Sequence, residues 1–225
     1  MDKDFAGYAG HPSDGILENL SIQNNVHEGH LSTAKHILEQ LAGCLLPDWQ
    51  LVEPLLRRKT LQPGDALFRD GVVHPFVYFV ESGIIKMIYE TDEGDAWVKA
   101  FVAESRFFAS LAALSPGGVT SFSAIAACPA VVESLPYQIL DQLADRHPQW
   151  QRALRRSFEL YGFRKECRER DLLTLSAEER YRRFIEEYPH IAARLADRDI
   201  AGYVRVTPAS LSRIKARIRQ AHTRV

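Results

Sequence analysis

Short apolar runs separated by turn residues occupy the chain from residue 55 to about 135. Several runs alternate apolar and polar positions, and Gly, Asp and Pro residues stand between them. The runs that predict strands cover residues 76–80, 84–89, 96–102, 122–126 and 130–135. Short strands joined by such turns are typical of an antiparallel barrel or jelly roll.

Helical spacing predicts helices on both sides of this strand-rich region. A helix over residues 31–46 is predicted to end near Pro47, and a long helix is predicted over residues 148–175. The apolar positions of the long helix lie near a 3.5-residue seam at Trp150, Leu154, Phe158, Tyr161, Leu172 and Leu175. One apolar stripe on a helix of this length predicts pairing with a second copy. The alternative is that the stripe packs on the strand-rich domain of its own chain.

Two further short helices are predicted near the carboxyl end. Ile200, Ala201 and Val204 share one helical face, and Leu211, Ile214 and Ile218 recur at helical spacing after a turn at Val206. Two stripes of this kind can bury each other, so the pattern predicts a helix-turn-helix. A capping box at Ser176 and Glu179 predicts the preceding helix, residues 177–188.

The start of the second short helix is marked by Thr207 and Pro208. The threonine hydroxyl can accept an unpaired backbone N–H, and proline fits the first helical position. Opposite the Leu211 stripe the helix presents Ala209, Arg213, Ala216 and Gln220, with Ser210, Ser212, Arg217 and Arg219 on the flanks. A slim, polar and basic face is what a helix entering the DNA major groove requires.

Charge is distributed unevenly along the chain. Residues 203–225 contain six basic residues and no acidic one, although the entire chain has a formal net charge of −1. Because neutralised phosphates release counterions, a cationic end on an anionic body is typical of a nucleic-acid-binding segment. A basic helix alone could also lie on the solvent-facing side of a helical bundle. The prediction of DNA binding therefore depends on the turn pattern and the helix cap as well.

Other classes of protein are disfavoured by composition. The chain has no run of about 18 apolar residues and no secretory signal pattern, which leads us to expect a soluble cytoplasmic protein without membrane partners. Its three cysteines are odd in number and far apart, so we expect buried or idle thiols rather than a redox or metal role. Residues 1–30, rich in Gly and polar residues, are expected to form a mobile leader.

Five stretches in this order resemble the Crp/Fnr family of bacterial transcription regulators. They are LQPGDALFRDG at 61–71, YFVESGIIK at 78–86, ERYRRFIEEYP at 179–189, IAGYV at 200–204 and TPASLSRI at 207–214. The resemblance implies an α+β fold with a cyclic-nucleotide-binding-like β-roll over residues 31–147, a dimerisation helix over 148–175 and a DNA-binding helix-turn-helix over 176–225. It also implies a homodimer that reads a pseudo-palindromic site on double-stranded DNA, with RNA polymerase as a further candidate partner.

The residues that bind cyclic AMP in relatives are not found at the corresponding positions of this chain. Relatives that bind cyclic AMP carry a carboxylate for the ribose and an arginine for the phosphate, whereas the corresponding stretches here read FFASL at 107–111 and SFSA at 121–124. A buried phosphate without a cation is costly, so we expect another effector or none. The residues near the expected ligand pocket are Phe108, Ser110, Leu111, Ser121, Phe122 and Ser123.

Sister proteins that carry an iron–sulfur cluster or haem offer no better match. Residues 1–43 contain no cysteine, which excludes the family's amino-terminal cluster ligands. A haem would need an axial ligand such as His74, which we expect to be an ordinary solvent-facing loop residue. We therefore expect no cofactor and no metal.

The DNA-binding segment departs from the family in three places. Arg205 stands where relatives have glycine and would adopt a left-handed conformation at a cost of about 1 kcal/mol. Ala209 replaces a base-reading glutamate, and the chain ends before a β-hairpin wing could follow. Arg213 matches the base-contacting arginine. The residues expected to contact DNA are Arg205, Thr207, Ala209, Ser210, Ser212, Arg213, Lys215, Arg217 and Arg219.

The favoured function is sequence-specific DNA binding by a transcription regulator, which is not an enzyme. An alternative is a ligand-sensing or protein-interaction module whose degenerate helix-turn-helix no longer binds DNA. A cupin-type metalloenzyme would need several histidines and a carboxylate inside the roll, but His74 is the single histidine between residues 55 and 135.

Overall fold

The computed structural model describes residues 32–91 and 96–222. The expected mobile leader, residues 1–30, lies outside the described residues. The amino-terminal part begins with helix α1 (Thr33–Ala42), helix α2 (Trp49–Val52) and a 3-10 turn (Glu53–Leu55). Strands follow as β1 (Arg57–Leu61), β2 (Ala66–Phe68), β3 (Phe76–Ser82), β4 (Ile85–Glu90), β5 (Ala96–Val102), β6 (Arg106–Phe108), β7 (Ser123–Ala126) and β8 (Ala130–Pro136), with helix α3 (Leu111–Leu114) between β6 and β7.

The strands form two antiparallel sheets that pack face to face. One sheet has the order β1-β8-β3-β6 and the other has the order β2-β7-β4-β5. Alternate residues of both sheets, including Phe68, Val80, Ile85 and Ala124, fill the space between them. The structure therefore confirms the antiparallel roll that the alternating pattern predicts.

Three strands escaped the sequence-based prediction. Strand β1 reads RRKTL and exposes four of its five residues, so it lacks the apolar alternation that marks the others. Strands β2 and β6 are three residues long. Pairing with β8, β7 and β3 holds these segments in the sheets, and such pairing is not visible in local sequence.

Helix α1 ends earlier than predicted. Its last helical residue is Ala42 rather than a residue near Leu46, because Gly43 adopts a left-handed conformation with φ of 72°. The Gly43 N–H donates to the carbonyl oxygens of Glu39 and Gln40, which closes the helix. At the other end of α1, the buried Glu133 carboxylate of β8 accepts the Ala34 N–H at 2.7 Å.

After the roll come helix α4 (Tyr137–Arg146) and the long helix α5 (Pro148–Thr174). The first part of α5 packs on its own domain rather than on a second copy. Trp150, expected in the dimer seam, is fully buried, stacks on Trp49 with ring centroids 6.1 Å apart and donates to the Pro47 carbonyl oxygen at 2.8 Å. Further along the same helix, Phe158, Leu172 and Leu173 remain exposed.

The carboxyl-terminal part is helical. It contains α6 (Ala177–Glu187), α7 (Pro189–Ala192), α8 (Asp197–Val204) and α9 (Pro208–His222). The predicted capping box of α6 is present, with reciprocal bonds between Ser176 and Glu179. No helix within the described ranges is long and apolar enough to cross a membrane.

Candidate nucleic-acid interface and ligand cavity

Helices α8 and α9 meet at a tight turn and bury their apolar stripes against each other. Ile200, Val204, Leu211 and Ile214 are all buried and share one cluster with Phe184 of α6. The Thr207 hydroxyl accepts the Ser210 backbone N–H at 3.2 Å, so it caps α9 as the sequence predicts. The local sequence thus forms the predicted helix-turn-helix.

One face of α9 lies open to solvent. Thr207, Ala209, Ser212 and Arg213 are exposed, whereas Ser210 is half-buried. Arg213 donates from Nη2 to the Ser210 hydroxyl at 3.3 Å, which directs its guanidinium along the exposed side of the helix. These side chains are available to a polyanion without rearrangement of the helix pair.

Arg205, Lys215 and Arg217, which are expected at DNA, each contact an aromatic ring or a carboxylate of the chain. The Arg205 guanidinium lies 4.1 Å from the centre of the Trp97 ring on β5. Lys215 forms an ion pair with Asp197, and Arg217 forms one with Glu178 at 3.0 Å. Arg219, which flanks the same face of α9, is exposed.

Arg205 adopts the left-handed conformation that its place in the turn predicts. Its φ and ψ are 63° and 51°, a region that usually favours glycine. A bulky residue pays about 1 kcal/mol there. The stacking on Trp97 is of the kind that contributes about 0.5–2 kcal/mol, so it can offset the strain.

Helix α8 packs closely against strand β5 of the roll. Gly202 is buried, and a Cβ at this position would lie 3.3 Å from the Val98 side chain. Tyr203 packs on Phe101 and Phe184, and burial raises the pKa of its hydroxyl to about 12. The roll and the helix-turn-helix therefore share an apolar boundary.

A buried ion pair crosses the same boundary. Lys86 Nζ of β4 lies 2.6 Å from Asp199 Oδ1 of α8, and the two side chains are 14% and 11% exposed. In such a buried pair the low local dielectric strengthens the attraction, but both charges lose their hydration. The net contribution of the pair to stability is therefore small, whereas removal of one partner is costly. Arg194 and Glu104 form a second, more exposed pair at 2.8 Å.

The residues expected in the ligand pocket do not share one surface. Phe108 and Leu111 line a large cavity. The hydroxyls of Ser110 and Ser123 are buried and accept backbone N–H groups of Ser121 and Asp70, respectively. Phe122 is buried in the roll core, and Ser121 is exposed.

The large cavity has a volume of about 650 Å³ and lies along strands β5 and β6 beside helix α5. Most of its wall is apolar or aromatic. The walls include Phe79, Tyr89, Trp97, Phe107, Phe158 and Tyr161. Four cationic residues of β5 and α5 also line the cavity, namely Lys99, Arg164, Lys165 and Arg168. Of the residues expected in the ligand pocket, only Phe108 and Leu111 line this cavity, and its α5 wall was not predicted. The basic residues that interrupt the apolar stripe of α5 were a signal for that wall.

The prediction that His74 is an ordinary solvent-facing loop residue is wrong. It is half-buried, shares a hydrogen bond with the Tyr78 hydroxyl and packs against Phe68 and Phe76. Burial, with a smaller contribution from Lys59, lowers the pKa of His74. Burial also raises the pKa of Tyr78 to about 12. The described residues contain no group of three His, Cys, Asp or Glu side chains that could hold a metal ion.

Comparison with known proteins gives the same picture for the roll and for the whole chain. Residues 58–147 match the cyclic nucleotide-binding domain family. The fumarate and nitrate reduction regulatory protein of Yersinia pestis is 26% identical over 233 residues, which cover 96% of this chain and 83% of that protein. The protein of the same name from Escherichia coli K12 is 25% identical over 235 residues, with the same coverage of 96% and 83%.

Solved structures share the fold. FixK2 from Bradyrhizobium japonicum superimposes with a TM-score of 0.67 at 19% identity, covering 74% of this chain and 86% of that one. CLP, described as a c-di-GMP-responsive global regulator in Xanthomonas campestris, gives a TM-score of 0.62 at 16% identity, covering 75% and 89%. In its antiparallel roll, long helix and helix-turn-helix, the chain is similar to regulators of the Crp/Fnr family.

Proposed function

We propose that the protein is a sequence-specific DNA-binding transcription regulator that acts as a homodimer. The observation that carries the proposal is the capped helix α9, whose Ala209, Ser212 and Arg213 side chains face solvent. Two of the relatives above are named regulatory proteins, which supports the same function. Residues 31–147 are then the effector domain, 148–175 the dimerisation helix and 176–225 the DNA-binding domain.

Arg213 is proposed as the base-reading residue. A bidentate arginine–guanine contact discriminates between bases by about 1–3 kcal/mol. Thr207, Ser210 and Ser212 lie on the same end of α9 and are proposed to contact the phosphate backbone or base edges beside it. Arg205, Lys215 and Arg217 can add phosphate contacts only by exchanging their present partners.

Helix α5 is proposed to pair with its copy through the part that begins at Phe158. Phe158, Leu172 and Leu173 leave apolar surface exposed there, whereas Trp150 is used by the roll. Pairing of two helices at this place would set the two copies of α9 about one DNA turn apart, near 34 Å. Such a dimer would read a pseudo-palindromic site.

The effector is proposed to be something other than cyclic AMP. The stretches 107–111 and 121–124 supply neither a carboxylate nor a guanidinium, and the Ser110 and Ser123 hydroxyls are bonded within the roll. A buried phosphate at this place would have no cationic partner from these stretches.

A sensing module without DNA binding is the second candidate function. It is favoured by one observation, namely that Arg205, Lys215 and Arg217 are engaged within the chain. Such a protein would respond to a ligand and show no salt-dependent affinity for duplex DNA.

The two functions are separated by mapping the crosslinked DNA sites of the intact protein in the cells that produce it. A regulator of the proposed kind recovers an inverted repeat with half-sites about 10 bp apart. A map without an enriched sequence supports the sensing module. The Arg213→Ala variant should lose the enriched sites, whereas Arg155→Ala, on the exposed side of α5, should keep them.

A further inference from the structure

Lys99 is the extra residue of a β-bulge in strand β5. Met87 of β4 pairs with Ala100 of β5. The next residue of β4, Ile88, pairs with Val98, so the pairing passes over Lys99. A bulge breaks the regular alternation of a strand and gives the extra side chain a new direction, and bulges are common beside functional sites. The backbone of β5 therefore singles out this lysine.

The amine of Lys99 lies among aromatic rings rather than beside a carboxylate. Its Nζ is 4.1 Å from the centre of the buried Phe122 ring and 5.6 Å from that of Tyr89. Among the ion pairs formed by residues 32–91 and 96–222, none includes Lys99. A ring face attracts a cation more weakly than a carboxylate does, so the rings replace only part of the hydration that burial removes.

The charged side chains that line the cavity together with Lys99 are mostly cationic. They are Arg164, Lys165, Arg168 and Arg205, whereas Glu169, which is exposed, is the one acidic lining residue within the described part of the chain. Burial, with a smaller contribution from Lys165, lowers the pKa of Lys99 to about 8. At pH 7.5 about a quarter of such a lysine is the neutral amine, against about one part in a thousand for a lysine with the ordinary pKa of 10.5.

We infer that Lys99 is a nucleophilic amine that binds an aromatic aldehyde covalently, as an imine. The ammonium group first releases a proton to solvent, and the amine nitrogen then adds to the carbonyl carbon. The carbinolamine loses the carbonyl oxygen and two hydrogens as water, so a C=N bond replaces the C=O bond without an oxidant or a reductant. Desolvation in an apolar pocket and a neighbouring cation both activate a lysine for this reaction, and Lys99 has both.

The surroundings of Lys99 favour an apolar, uncharged product. An imine carries no charge, so its formation removes the cost of keeping an ammonium group away from water. The rings of Tyr89, Phe108 and Phe158 line the cavity, and an aromatic aldehyde can pack its own ring against them. Neither DNA nor a second copy of the chain takes part in the reaction, so the inference can fail or succeed separately from the proposed function.

Reductive trapping of the full-length protein with benzaldehyde at pH 7.5 tests the inference. Cyanoborohydride converts any imine into a stable secondary amine, and mass spectrometry of the peptides identifies the labelled lysine. We expect Lys99 to be labelled about tenfold or more faster than Lys59, an exposed lysine of β1, because its neutral fraction is much larger. Labelling that follows the exposure of the lysines, or that omits Lys99, would overturn the inference.

Competition and substitution show whether the aldehyde reacts from within the cavity. Benzyl alcohol, which has the ring without the carbonyl group, should slow the labelling of Lys99 and leave that of Lys59 unchanged. Glyceraldehyde, a polar aldehyde, should show a smaller preference for Lys99 than benzaldehyde does. Lys99→Met should lower the label by about one per chain at limiting benzaldehyde, whereas the matched Lys59→Met variant should keep it. Labelling of Lys99 that ignores benzyl alcohol and does not distinguish the two aldehydes would contradict an aromatic aldehyde site.

Discussion

Arg205 stacks its guanidinium on the indole ring of Trp97, 4.1 Å from the ring centre, and so joins the turn of the helix-turn-helix to strand β5 of the roll. The residue is in a left-handed backbone conformation, so strain and stacking act on the same side chain. The turn is fixed by a contact with another domain as well as by its own sequence.

Substitutions at Arg205 separate the backbone strain from the stacking on Trp97. Arg205→Ala keeps the strained backbone and loses the stacking, so it should lower the free energy of unfolding by about 1 kcal/mol. Arg205→Gly loses the same contact but relieves the strain, so its stability should stay close to wild type. Urea unfolding of both variants measures the difference. If alanine and glycine destabilise equally, the left-handed conformation is not costly here.

Loss of one partner of the Lys86–Asp199 ion pair should destabilise the protein more than replacement of both partners. Asp199→Asn leaves a buried lysine without its carboxylate and should cost about 3 kcal/mol in unfolding free energy. The double variant Lys86→Met, Asp199→Leu should recover most of that loss, because neither charge is then buried. An Asp199→Asn protein as stable as wild type would show that the pair is hydrated in solution.

Lys99 predicts a rise in stability on the alkaline side of neutrality. Its pKa is about 8 in the folded protein, below the ordinary lysine value of 10.5, so between these values the unfolded chain binds more protons and stability increases with pH. Below pH 8 the folded protein carries the full penalty of the buried charge. Lys99→Met should therefore be more stable than wild type at pH 7, by on the order of 1 kcal/mol after solvent screening.

The advantage of Lys99→Met should shrink as the pH rises above 8. Thermal unfolding at pH 7 and pH 9.5 measures it, and both proteins share the tyrosines that titrate at higher pH. Lys59→Met, at an exposed lysine of β1, is the matched control and should show no such trend. A constant advantage across this range would mean that the Lys99 ammonium is not desolvated.

The second half of α5 predicts the oligomeric state. Leu172 is 38% exposed on the proposed pairing face, so Leu172→Glu should place two like charges in the dimer and shift it to monomer. Sedimentation equilibrium at micromolar concentration measures the change. Leu45→Glu, at a leucine that is 78% exposed after α1, should leave the mass unaltered. A wild-type protein that is already monomeric would exclude pairing through α5.

Local patterns in the sequence were sufficient for the elements of the DNA-binding segment. The Ser176–Glu179 capping box, the Thr207 cap and the burial of Leu211 and Ile214 all depend on residues within one helix or its neighbour. The left-handed conformation of Arg205 was predicted from the resemblance instead, because relatives have glycine at this position of the turn.

Contacts between distant segments were not predictable. Lys86 and Asp199 are separated by 113 positions, and neither residue differs in local sequence from an ordinary surface charge. The apolar stripe of α5 was predicted to face a second copy throughout. The spacing of apolar residues does not distinguish a stripe that faces a partner from one that faces its own domain. Trp150 faces its own domain, whereas Leu172 remains exposed.

Fluorescence anisotropy with a duplex recovered by the site map tests most directly whether α9 reads DNA through Arg213. Loss of one bidentate guanine contact should raise the Kd of Arg213→Ala about tenfold or more, while Arg155→Ala binds like wild type. Binding by the wild-type protein should weaken steeply with salt. Equal affinities of the two variants, or an affinity that does not change with salt, would contradict DNA recognition by this helix.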